Sequence, residues 1–144
     1  VKYTIQKNDE YYEPYWKEEF KGKRVGYSHS ESYETIDDDV AKDVIRDMVD
    51  VCDYKLDAKR IRENFGNVDD KCVSQIIGYY SFRNDLFKKI LKWMSSHGSN
   101  KSGWVVTDKM SWEIPYEFNH FECDGSDPGN VKQKRCSITV SIDI

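Results

Sequence analysis

Val1, Tyr3 and Ile5 alternate with Lys2, Thr4 and Gln6, the two-residue period of a strand that buries one face. Residues 7–14 are polar apart from the embedded Tyr11 and Tyr12, and 15–20 and 24–28 flank Lys21-Gly22-Lys23. That arrangement predicts a second and a third strand joined by a hairpin turn. Downstream the period lengthens. Asp37, Asp38 and Asp39 place side-chain acceptors and negative charge where the unpaired amides of a helix start lie. Val40, Val44, Ile45, Met48, Val51 and Cys52 then fall on one side of an amphipathic helix over 38–52. A short helix over 57–64 ends at Gly66. Asp69 or Asp70 caps the next one, whose stripe of Val73, Ile76, Ile77 and Tyr80 continues through Leu86, Phe87, Ile90, Leu91 and Met94 to Gly98. Arg83-Asn84-Asp85 leaves open one long helix or two, with Asn84 capping the second.

The last third returns to period two. Met110, Trp112, Ile114, Tyr116 and Phe118 alternate with polar residues and Pro115, and Cys136, Ile138, Val140, Ile142 and Ile144 alternate with Ser137, Thr139, Ser141 and Asp143. The turn-rich stretch 125–130 between them predicts a hairpin. Strands at both ends with helices between them, and no β-α-β alternation, argue for an α+β fold. The expected architecture is a two-layer sandwich: an antiparallel sheet formed from N- and C-terminal strands, with the central helices packed on one face.

At 144 residues the chain has room for one domain, 1–144, since two would each bury too little. Its 22 Lys and Arg against 26 Asp and Glu, net −4, disfavour a protein that coats a phosphate backbone, so nucleic acid is an unlikely partner. No apolar run reaches the length of a membrane span.

Cys52, Cys72, Cys123 and Cys136 contain no Cys-x-x-Cys pair, the arrangement that zinc and thioredoxin-like sites favour, so disulfides are expected. The simplest pairing joins Cys123 to Cys136 across the last hairpin and Cys52 to Cys72 between helices. Side-chain parity opposes the first bridge: Cys123 opposite Cys136 would set Asn119 against Val140. Either a bulge near Asn119 and His120 corrects this, or one of these cysteines reaches a helix cysteine instead. Asn100-Lys101-Ser102 is a glycosylation sequon in a glycine-flanked stretch. The chain also begins at Val1 rather than Met, as after removal of a signal segment or trimming. A secreted, extracellular destination is the working expectation.

Chemistry-bearing motifs are few. His29, in a loop after the third strand, and His120, on a strand, are the candidate acid–base pair of a small secreted hydrolase or ribonuclease, with Glu117 or Glu122 and Lys132 or Lys134 in support. Their spacing carries no specificity. No metal site or cofactor is expected: His120 and Cys123, three apart on a strand, point to opposite faces. The acidic run 34–39 lacks the ligand pattern of a calcium loop. No nucleophile elbow or phosphate cradle occurs.

The most distinctive segment is Tyr11-Tyr12-Glu13-Pro14-Tyr15-Trp16. Polar-tipped aromatics offer large contact area at low entropy cost and concentrate at binding hot spots; buried in the sheet, they would equally serve as core. Lys17, Lys21, Lys23 and Arg24 adjoin them and would steer an anionic partner, or guard a strand edge. The leading expectation is therefore a disulfide-stabilised protein that binds a protein or cell-surface target, of the virulence-effector, antagonistic-toxin or viral immune-modulator kind; the hydrolase is the alternative.

Overall fold

The computed structural model describes residues 1–14, 24–97, 107–114 and 132–143. In chain order the described elements are β1 (Lys2–Pro14), β2 (Arg24–Thr35), α1 (Asp38–Val49), α2 (Ala58–Phe65), α3 (Asp70–His97), β3 (Thr107–Ile114) and β4 (Lys132–Asp143). The strands form one antiparallel sheet ordered β2-β1-β4-β3, so its two central strands come from opposite ends of the chain. This is the expected α+β architecture, with helices against one face.

Register sorts the side chains. Tyr3 pairs with Ile142, Ile5 with Val140 and Lys7 with Ile138, while Ile138 also faces Trp112 and Cys136 faces Ile114 on β3. Those positions of β4 are buried and meet Ala41, Ile45, Met48 and Val49 of α1 and Leu86, Ile90 and Met94 of α3 in one cluster. Trp93 of α3 meets Trp112 edge-on at 5.4 Å. The alternate residues Gln6, Ser111 and Thr139 lie on the other face, where the Ser111 and Thr139 hydroxyls hydrogen-bond at 2.7 Å.

α3 is longer than the sheet is wide: its 28 residues span about 42 Å at 1.5 Å per residue. Its second half covers the sheet, and its first half packs Val73 and Ile76 with Ile61 of α2 in a second, smaller core. The helix is continuous, and Asn84 caps nothing within it. Its amide instead accepts from the Cys52 N–H at 2.9 Å and donates to the Cys52 carbonyl, holding the chain as it leaves α1. Beside it the buried Arg83 donates to the Val49 carbonyl at 2.9 Å, where the open end of α1 welcomes a cation. α1 stops at Val49, short of the expected 52, because Asp50 takes a left-handed conformation (φ 59°) and its N–H turns back to Arg46 and Asp47. That conformation is tolerated by Asp better than by most residues.

The extent of the first strands changes. β1 runs to Pro14 and β2 from Arg24 to Thr35, so His29 lies in mid-strand rather than in a loop. Beyond Gln6 both strands are polar on both faces; they are set by pairing with each other and, for β1, with β4, not by an apolar alternation. The strand expected over 15–20 lies outside the described residues, as does the stretch after Ile114. A register shift falls between Glu10 and Tyr11 against β4; the bulge expected near Asn119 and His120 lies outside the described residues.

The cysteine pairings are corrected as well. Ile114, not Cys123, is opposite Cys136, and both Cys136 and Cys52 are free thiols. Neither the Cys123–Cys136 nor the Cys52–Cys72 bridge is therefore formed, and no disulfide joins two described residues. The parity conflict seen in the sequence is resolved by apolar burial: even-numbered residues of β3 and β4 share the core face, with Ile114 in place of a cysteine.

Ile138 is fully buried at the centre of this layer. Ile138→Ala should cost about 3 kcal/mol by lost burial and cavity formation, whereas Lys109→Ala on the exposed face should stay within about 0.5 kcal/mol. Urea unfolding checks both, with the isoleucine variant showing a lower midpoint and an unchanged slope.

Candidate functional site

The two ends of the sheet differ in chemistry. Where β1 begins and α1 starts, a cleft of about 630 Å³ is lined by Tyr3, Asp38, Lys42, Leu91, Lys92, Met94 and Ser95. Asp37 is the helix cap, accepting from Asp39 and Val40 N–H, which leaves Asp38 free to turn toward the sheet. The Tyr3 hydroxyl donates to Asp38 Oδ1 at 2.8 Å, and Lys42, one turn along, reaches Oδ2 at 2.8 Å. The Lys42 and Tyr3 hydrogen bonds hold the Asp38 carboxyl below the usual carboxylate range. Burial first, then Asp38, pushes the Tyr3 phenol up to about 12. Near neutral pH, then, the phenol is protonated and the carboxylate charged. The trio latches β1 to α1.

Across the middle of the sheet a second row of reactive side chains runs from edge to interior: His29 is opposite Asp9, and Asp9 is opposite Cys136. Asp9 and Cys136 are buried and His29 is exposed. Burial, then a hydrogen bond to Asp9, pushes the Cys136 thiol up to about 12. A thiol nucleophile needs the opposite shift, so this cysteine, whatever its neighbours, is held protonated. Among the described residues no group of three His, Cys, Asp or Glu side chains is placed to hold a metal ion.

At the far end, β1 finishes at Pro14 opposite Arg24, and Tyr12 lies opposite Lys132. β3 runs parallel to β1 and finishes at Ile114 toward the same end. Tyr11 is half-buried and opposite Tyr27; Tyr12 follows it on β1, and Arg24 opens β2. Tyr15, Trp16, Lys17, Lys21 and Lys23 lie outside the described residues, as do Asn100, Glu117, His120, Glu122 and Cys123.

Sequence reasoning missed the Tyr3–Asp38–Lys42 latch and the Arg83–Asn84 clamp. The first was hidden because Asp37, Asp38 and Asp39 all read as capping residues. The second had one visible signal, an arginine on the apolar side of a long helix.

The folded Cys136 thiol keeps its proton to about 12, against 9.0 when unfolded. Between those values the folded state binds more protons, so stability falls as pH rises. Cys136→Ala should flatten the fall of the urea midpoint above pH 9. In the native protein, iodoacetamide should label Cys52 and spare Cys136 until denaturant is added, as peptide mass spectrometry would read; equal labelling contradicts the buried, Asp9-bonded thiol. Compared with protein-family models, with characterised proteins and with solved structures, the chain matches none.

Proposed function

We infer that this chain is a secreted binding protein that engages a protein or cell-surface target through the end of the sheet at Pro14, Arg24 and Lys132. The observation that carries this reading is topological. β1 and β3 finish, and β2 and β4 begin, toward that one end, so the sequence segments 15–23 and 115–131 both start and stop there. Between them they hold Tyr15, Trp16, Phe20, Tyr116, Phe118 and Phe121, with Lys17, Lys21 and Lys23. Aromatic residues are enriched where binding energy concentrates, and lysines near them would steer an anionic partner. The role in view is that of a virulence effector, an antagonistic toxin or a viral immune modulator. The hydrolase alternative needs two imidazoles converging on one concavity, and His29 sits on an exposed edge strand whose direct neighbour is Asp9.

Support for an oxidising compartment comes from Cys72, which is buried and is not a free thiol. With Cys52 and Cys136 free, Cys123 is the partner remaining in the sequence. The proposed bridge thus ties the start of α3 to the segment after β3, a link between helix layer and sheet.

Immobilised protein should capture its target from candidate cell surfaces or secretions, and Tyr15→Ala combined with Trp16→Ala should reduce capture at least about ten-fold. Lys109→Ala should leave it unchanged. Undiminished capture by the double variant removes the aromatic end from the reading. Non-reducing peptide mapping should show one Cys72–Cys123 link and two free thiols; four reduced thiols in native material would overturn the oxidising compartment.

A further inference from the structure

β2 is an edge strand. β1 pairs with one side of it, and among the described residues no strand pairs with the other. It runs beside β1 without a register shift from Tyr3 opposite Thr35 to Pro14 opposite Arg24. Its outer side therefore offers a long uninterrupted row of backbone N–H and C=O groups. Proteins normally blunt such an edge with charged side chains, above all lysine, with proline or with a bulge, and here the charges of β2 after Arg24 are Glu31 and Glu34 alone. Between Val25 and Thr35 there is no Lys, Arg or Pro, and residues 28–34 are all exposed.

The stretch Tyr27-Ser28-His29-Ser30-Glu31-Ser32-Tyr33 reads the same in both directions about Ser30, except that His29 answers to Glu31. An antiparallel strand that meets its own copy needs this kind of pattern. We propose that β2 pairs antiparallel with β2 of a second copy of this chain about a two-fold axis through Ser30, joining two four-stranded sheets into one of eight strands. Ser30 then meets Ser30, Ser28 meets Ser32, His29 meets Glu31, and Tyr27 falls opposite Tyr33. A two-fold axis through a residue pair is compatible with antiparallel bonding whether that pair is hydrogen-bonded or not.

Directly opposite residues share a face, so the serines meet on the open polar face and His29 meets Glu31 on the face that carries the helices. The alternation continues into each sheet, because Lys7 is opposite Glu31 and Asp9 is opposite His29 on β1. One row across the junction is thus Lys7, Glu31, His29 of the second copy and Asp9 of the second copy: base, acid, base, acid. The two-fold axis generates the same row in reverse. The nearest alternative registers lose this match. An axis through Glu31 sets Glu31 against Glu31, and one through His29 sets His29 against His29, with Glu31 opposite Tyr27. Repulsion in the first and lost pairing in the second select the Ser30 register.

Sedimentation velocity over a concentration series tests the proposal. The wild-type chain should be a dimer. Glu31→Lys places lysine opposite histidine twice, and His29→Glu places glutamate opposite glutamate twice. Each variant alone should weaken dimerisation by roughly thirty-fold while keeping its far-UV circular dichroism. Mixed together they should form a heterodimer, because each junction pair is then acid against base. Ser30→Lys, an exposed change that sets two lysines on the axis, should also give a folded monomer. A wild-type chain that stays monomeric, variants that dimerise as wild type does, or a mixture that fails to associate overturns the proposal.

Discussion

The pairing of β1 with β4 is the constraint on which the rest of the structure rests. It joins Lys2 to Asp143 across almost the whole chain and puts both strands at the sheet's centre. The apolar residues of β4 fall on alternate positions, so a slip of one residue would turn Ile138, Val140 and Ile142 away from the helices and set Ser137, Thr139 and Ser141 against them. Every helix contact with the sheet depends on the correct choice. Ile45 and Val49 of α1 and Ile90 of α3 find a dry surface only where those β4 side chains point toward them. Because this contact is so distant in sequence, its closure entropy must be met before the core rewards it.

The helix layer is anchored by polar groups placed where apolar packing ends. Arg83 and Asn84, neighbours on α3, together satisfy the backbone of Val49 and Cys52 at the exit of α1. The Arg83 guanidinium also lies 4.2 Å from the centre of the Tyr79 ring. This clamp sits between the two hydrophobic clusters, so α3 serves as a beam that carries one core at each end. At the opposite end of α1, Tyr3, Asp38 and Lys42 perform the matching service for the first strand. Both fastenings tie an end of α1 to a neighbouring element through side-chain hydrogen bonds.

The described surface divides by chemistry. One end of the sheet is latched, one face is helix-covered, and the other face is a polar array in which Gln6 lies beside Thr139 and Thr139 beside Ser111. β1 and β3 finish toward the unlatched end, which the proposed reading makes the aromatic end, and the β2 edge lies along the side. These are separate surfaces: an edge-paired dimer would direct its two aromatic ends away from each other, because its β2 strands run antiparallel.

The sequence determined the elements whose amphipathic period is strong. The β4 alternation, the stripe on α3 and the capped start of α1 were legible because water alone separates their two faces. The α+β class followed from their order. Tertiary structure decided the remainder. The sequence showed only the start of β2, over 24–28; its continuation through His29, Ser30, Glu31 and Ser32 has no apolar side and is a strand because β1 supplies hydrogen-bond partners. The place of Ile114 opposite Cys136, which left that thiol unbridged, was fixed by burial of the even-numbered face and not by cysteine spacing. Asp38 became a latch only when the sheet brought Tyr3 within 2.8 Å of it. Local patterning records which side of a segment avoids water; the partner that a polar side chain meets is set by chain segments tens of residues away.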